Sequence, residues 1–323
     1  MSEGVRGGER SGPWRTLVTA GATLGVLGFV VWKVEPGPIV DAIRGADFLL
    51  VLAGALVAIL FHTVQSAELL RCMLKGFAHE LAFRHALAAT GGNMAIKAAL
   101  PAGTGELVRI VYLSRVCGAP AAHSTAAVLS ILWCKLFWLQ AIALAGWIAR
   151  PGRDSLLGAA LAAGILVCTG LPAWAILRGR TLSRGRERSG AWGRLMAAIA
   201  RAAADARPGW LAIGILHCLL SVVAEIGVFV LVLAAAGGPV DALAIAALLP
   251  IAIIGAKVPL TILGVGTREV LVVMLLASTA PDHVLAGAAM LFSAVEYVVP
   301  ALVGAALTWG FVSRLTGSGP RAR

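Results

Sequence analysis

Two interruptions of apolar sequence constrain this chain more than anything else in it. The first is Leu100-Pro101-Ala102-Gly103-Thr104-Gly105-Glu106-Leu107-Val108-Arg109. The second is Val258-Pro259-Leu260-Thr261-Ile262-Leu263-Gly264-Val265-Gly266-Thr267-Arg268-Glu269. Proline removes a backbone donor and glycine weakens a helix, so each stretch should break one. Freed backbone groups find no water in lipid, and such breaks persist only inside protein or beside a watery cavity. Two of them in corresponding places point to a binding site between membrane repeats.

The surrounding sequence has the composition such breaks require. Hydrophobic residues make up 59% of the chain and charged residues 13%, with a mean hydropathy of +0.89. An ordinary soluble domain is excluded, and several apolar runs are long enough to cross a bilayer. The net charge of +11 collects in Arg-rich flanking segments, which indicates topology and attraction to anionic headgroups rather than nucleic-acid binding. Cys72, Cys117, Cys134, Cys168 and Cys218 form no CxxC pair and are expected to pack. No cluster has metal-ligand spacing and no phosphate-binding Gly-x-x-x-x-Gly-Lys-Ser/Thr loop occurs, so neither a cofactor nor ATP hydrolysis is expected.

Apolar periodicity predicts an all-α polytopic membrane protein with six full spans, near 16–32, 48–70, 124–148, 156–177, 210–236 and 284–311. The first span is expected to be retained rather than cleaved. Around the breaks lie four shorter arms, at 86–100, 103–116, 243–257 and 264–279, each below the length of roughly 20 residues that crosses. They are expected to form two re-entrant helical hairpins; ten full spans are the alternative. The linker 178–208 carries Arg178, Arg180, Arg184, Arg186, Arg188, Arg194, Arg201 and Arg207, so it is expected in the cytoplasm. With six spans, both basic termini (1–15 and 314–323) are then cytoplasmic. The N-terminal half, 16–177, contains one span–hairpin–span unit at 48–148, and 209–313 repeats it in the opposite orientation. Glu68 lies 33 residues before Pro101 and Glu225 lies 34 before Pro259, while Lys97 and Lys257 each shortly precede a break. Inverted repeats of this kind are common in alternating-access transporters.

The motifs resemble the flippase-like family that includes the transmembrane part of lysylphosphatidylglycerol synthases. Asn93, Leu100-Pro101 and Gly105-Glu106-Leu107-Val108-Arg109 are similar to its N-terminal motif. Pro259 with Leu263-Gly264-Val265-Gly266-Thr267-Arg268-Glu269 is similar to its C-terminal one. One departure is the span after the first motif, where a Glu/Asp-Arg plus Asp signature is replaced by Ser130-Ile131-Leu132-Trp133-Cys134-Lys135. The resemblance implies a lipid-handling membrane domain and does not imply the synthase reaction.

For Arg109 and Arg268 two roles stay open. Guanidinium matches phosphate geometry, and helix N-termini near Gly103, Gly105, Gly264 and Gly266 would add N–H groups for an anion. Alternatively, Arg109 pairs with Glu106, or with Glu269 across the repeats, only to neutralise buried charge. Lys97 and Lys257 are candidate headgroup contacts, and Lys135 and Glu296 candidate pathway residues. His62, Gln65 and Glu68 recur at intervals of three, and His217, Ser221 and Glu225 at intervals of four, so each set should share a helix face. Glu68, Glu225, His62 and His217 are thus candidates for proton coupling, with inter-helix hydrogen bonds as the plainer role.

The expected function is transfer of an anionic or phosphate-bearing lipid between leaflets, with membrane phospholipids or other amphipathic lipids as partners. An accessory subunit beside a lipid- or glycan-modifying enzyme is the second expectation and a membrane-embedded transferase the third, with small-solute transport behind them. No catalytic motif points to an enzyme. Abundant Arg and Ala with few Lys suggests a bacterial genome, hence the inner (cytoplasmic) membrane.

Overall fold

The computed structural model describes residues 36–99, 104–150, 155–182, 206–257 and 266–307. The expected first span, most of the Arg-rich linker and the tips of both breaks (with Pro101, Gly103, Pro259 and Gly264) lie outside them. No strand occurs among the described residues. A short helix, α1 (Pro36–Arg44), precedes the first long one, α2 (Phe48–Gly76). Two shorter helices come next, α3 (Phe83–Ala99) and α4 (Thr104–Arg115), then the long α5 (Ala121–Ala149) and α6 (Ser155–Leu182). The order long, short, short, long then recurs: α7 (Pro208–Ala235), α8 (Ala242–Ala256), α9 (Thr267–Leu276) and α10 (Asp282–Ala306).

Of these, α2, α5, α7 and α10 are long and apolar enough to cross a membrane, at four of the six places expected from the sequence. In α6 the apolar part is shorter, Leu156–Gly170. At a rise of about 1.5 Å per residue, α3, α4, α8 and α9 each fall short of the roughly 30 Å hydrocarbon core. Their starts have local causes. The Asp47 carboxylate accepts from Leu49 N at 2.8 Å to cap α2, and Asp241 accepts from Leu243 N at 3.1 Å to cap α8. Pro208 begins α7, where its missing N–H costs nothing.

Packing follows apolar faces, and it crosses between the halves. The first long helices, α2 and α7, lie side by side. Each leading short arm packs on the last long helix of the other half, α3 on α10 and α8 on α5. Small residues permit both approaches. A Cβ on Gly146 of α5 would stand 2.6 Å from Ala247 N, and one on Gly304 of α10 would stand 2.7 Å from Gly91 O. Gly146 and Gly304 are 158 positions apart, as are Pro101 and Pro259, so the matched sites of the sequence repeat make matched contacts. Two apolar cores result. One gathers α7 to α10 with Ile39, Ala58 and Leu139; the other gathers the second half of α2 with α3, α4, α5 and Cys218. Outward rows such as Leu49, Leu52, Leu56 and Leu60 stay exposed, as a lipid-facing surface requires.

Within α2 and α10 the α-helical repeat is interrupted by one π turn each, Phe61–Gln65 and Ala294–Val298. A π turn inserts a residue and rotates the next stretch of helix by about 100°. The Ser66 hydroxyl donates to Phe61 O at 2.8 Å, satisfying one carbonyl in the disturbed region.

Candidate functional site

The two π turns face each other. His62 Nε2, on the first, meets Glu296 Oε1, on the second, at 2.6 Å. Beside them the Tyr297 hydroxyl donates to Glu225 Oε1 on α7 at 2.9 Å. The straight face of α7 supplies the rest. Gln65 Nε2 donates to the backbone oxygen of His217 at 2.6 Å and approaches its Nδ1 at 3.3 Å, while the Ser221 hydroxyl donates to Gln65 Oε1 at 2.9 Å. His217, Ser221 and Glu225 share a face, as their spacing predicts.

Glu68 does not join them. Its carboxylate pairs with Arg71 Nη1 at 2.6 Å, in a surface pocket shared with Lys75, Glu80 and Trp210. The π turn Phe61–Gln65 holds His62 and Gln65 and ends before Glu68, which lies on the α-helical stretch after it, so the expected equivalence of Glu68 and Glu225 does not extend to their surroundings. Nor do His62 and His217 form a relay with Glu68.

Around the first break, Lys97 on α3 bonds Glu106 on α4, and Arg109 Nη1 lies 3.3 Å from the other oxygen of the same carboxylate. Gly105 is required there. A Cβ would meet Asn93 Oδ1 at 2.4 Å and Lys97 Cγ at 2.6 Å, so glycine lets the two arms close. Arg109 is only 6% exposed, and its Nε and the Asn93 Oδ1 have no hydrogen-bond partner among the described residues.

At the second break Gly266 stands at φ +90°, a conformation natural to glycine, and its N–H donates to the Glu269 carboxylate. The Ser293 hydroxyl donates to the other oxygen of Glu269 and accepts from Arg268 Nη1 at 2.9 Å. The Arg268 guanidinium also lies 3.9 Å from the centroid of the Tyr297 ring. Arg268 and Glu269 are 2% and 1% exposed. Neutralisation is therefore local to each break, and no Arg109–Glu269 pair forms among the described residues. The Gly266 N–H expected to await an anion is occupied by the protein's own carboxylate. Ser293 and Tyr297 join the site without any counterpart in the motif spacing, so that spacing could not have pointed to them.

Lys257 directly follows α8 and is exposed. Its charge acts on Glu225, Lys135, Arg268 and Glu106, and Lys97 is within its reach. Charges on the short arms of both halves, α5 and α7 are thus electrostatically coupled. No group of metal-binding side chains occurs among the described residues.

The family model for the transmembrane region of lysylphosphatidylglycerol synthase matches residues 15–304. The chain belongs to this family. Membership accounts for the paired motifs and links the protein to membrane lipid metabolism. Comparison with curated proteins gives no match.

Proposed function

We propose that the protein moves a lipid with an anionic or phosphate-bearing headgroup between membrane leaflets. The observation that carries this reading is the charged cluster shared by both halves. Ionisable side chains at membrane depth are costly and mark substrate or proton pathways, and here they come from α3, α4, α5, α7, α8, α9 and α10. In this reading the short arms are re-entrant hairpins of opposite orientation in a six-span bundle. It lies in the bacterial inner membrane with both termini in the cytoplasm. Rocking of the halves along the α2–α7 contact exposes the cluster to each side in turn. The protein acts as a transporter rather than an enzyme, supplying or clearing lipid for a lipid-modifying partner. The buried Arg109 and Arg268 hold the short arms in place, and the less buried Glu225 and Lys257 face the cargo.

The test is leaflet exchange of fluorescent phospholipids in proteoliposomes, comparing the parent with Lys257→Gln. Lys257 is exposed and lies at the end of a helix, so folding should survive its substitution. Exchange in the parent and at least about tenfold less in the variant is expected, the loss of one charge-assisted contact with the headgroup. Absence of exchange in the parent, across anionic and zwitterionic headgroups and with a proton gradient imposed, refutes transport.

A further inference from the structure

A pocket where α2 ends and α7 begins takes no part in the coupled charges between the halves. Its volume of about 450 Å³ falls within the roughly 300–1,000 Å³ of small-ligand sites. Glu68, Arg71 and Lys75 line it from one face of α2, at spacings of three and four residues. Just beyond α2, Ala78 stands at φ +57°; its N–H donates to Lys75 O at 3.1 Å, and that of His79 to Leu74 O at 2.9 Å. This left-handed cap turns the chain back. Leu81 O therefore accepts from Arg71 Nε at 3.0 Å, and Glu80 Oε1 comes to 3.7 Å from Lys75 Nζ. Trp210 of α7 lines the same pocket, with Lys75 Nζ 4.0 Å from its ring centroid. The Arg207 N–H donates to Gly76 O at 2.7 Å and ties the two helices together here.

Both signs of charge have bonding capacity to spare in this pocket. Of the five N–H groups of Arg71, one goes to Leu81 O and one to Glu68 Oε1 at 2.6 Å. Lys75 donates no hydrogen bond among the described residues, since Glu80 lies beyond hydrogen-bond distance. Glu68 has a second oxygen, and the Glu80 side chain is 80% exposed. Two cations and two carboxylates suit a ligand that carries one charge of each sign. A tryptophan at a span end sits at headgroup depth. Farther along α7, Ile213, Leu216 and Leu220 are exposed on one face and offer an apolar row.

We infer that this pocket binds the headgroup of a zwitterionic phospholipid with a primary ammonium, a phosphatidylethanolamine. Arg71 and Lys75 take the phosphodiester, Glu68 and Glu80 the ammonium, and the acyl chains follow the Ile213–Leu216–Leu220 row. A trimethylammonium headgroup has no N–H for the carboxylates, and Lys75 already covers the Trp210 ring. A glycerol headgroup brings no cation to offset them. The site does not depend on the transport reading, because it holds a lipid whether or not the protein moves one.

The test uses the full chain in detergent with mixed micelles of phosphatidylethanolamine, phosphatidylcholine and phosphatidylglycerol in equal amounts. Native mass spectrometry reads the lipid retained. The parent is compared with Lys75→Gln, Glu68→Gln/Glu80→Gln and the control Asp41→Asn/Asp282→Asn, after thermal unfolding has confirmed that each is folded. The control removes two exposed carboxylates near Ala236, at the opposite end of α7. Parent and control should retain phosphatidylethanolamine preferentially, and Lys75→Gln about tenfold less of it, the loss of one charge-assisted contact. The Glu68→Gln/Glu80→Gln variant leaves two cations unopposed. It should reverse the order in favour of phosphatidylglycerol, a change of about tenfold to a hundredfold in the ratio of the two lipids. No preference in the parent, an unreversed order in that variant, or the same reversal in the control overturns the site. Displacement by an equal concentration of soluble glycerophosphoethanolamine overturns the lipid as its ligand, and no displacement supports it.

Discussion

Replacing Gly146 and Gly304 by alanine tests the exchanged packing of the two halves. With the backbone held in place, the new methyl on Gly146 would lie 2.6 Å from Ala247 N and 2.9 Å from Ala246 C; that on Gly304 would lie 2.7 Å from Gly91 O. Comfortable contacts lie near 3.5–4.0 Å, so each helix pair must part by about 1 Å. The obstructing atoms are backbone, and no rotamer change relieves them. Overpacking of this kind costs about 1–3 kcal/mol. Alanine also gains about 1 kcal/mol over glycine in a helix interior, so the net effect is about 0–2 kcal/mol of destabilisation. Gly227 on α7 separates the two terms, because a Cβ there meets nothing within 4 Å. Gly227→Ala should therefore stabilise by up to about 1 kcal/mol. Thermal unfolding in detergent, followed by tryptophan fluorescence, should place both seam variants below Gly227→Ala. The gap should be about 2–10 °C, given a few degrees per kcal/mol for a chain of this size. The two seam variants should respond alike, since the contacts are matched in the two halves. Equal shifts in all three variants would refute the close approach of α5 to α8 and of α10 to α3.

Glu269→Ala leaves the enclosed Arg268 without the carboxylate at the end of its Ser293 bridge and should cost about 3–5 kcal/mol, whereas the apolar double variant Arg268→Met/Glu269→Leu should recover most of that loss; the monodisperse fraction after detergent extraction ranks them. His62→Phe strands the Glu296 carboxylate, whose side chain is 3% exposed, and should lower the unfolding temperature more than His62→Gln, which retains a donor. Equal shifts would mean that the ring's bulk matters and its bond to Glu296 does not. Burial pushes the thiol of Cys117, in the loop after α4, up to about 11. In a variant keeping only that cysteine, maleimide labelling should be slow at neutral pH and rise about tenfold per pH unit toward that value, because the thiolate is the reacting form. A rate at neutral pH equal to that of the denatured chain would contradict the burial.

Much of the architecture was legible in the chain because it depends on local composition. Long apolar runs with polar ends specify the membrane class and the helices α2, α5, α7 and α10. Proline and glycine mark where the short arms stop, since their effects on a helix act within a turn. The regular spacing of His217, Ser221 and Glu225 predicted a common face because α7 runs without interruption. Tertiary structure alone decided which charges meet. His62 and Glu296 are 234 positions apart, and nothing local to either specifies the other. The π turn at Phe61–Gln65 has no compositional signature, yet by shifting the helical phase it sends Glu68 to Arg71 and keeps His62 and Gln65 at the seam. Gly105 and Gly266 looked alike as helix breakers, but packing separates their roles: one admits Asn93 and Lys97, the other supports a backbone turn closed by Glu269. Composition can place ionisable groups in the membrane. Only the folded chain gives Glu106, Glu269 and Glu296 their partners.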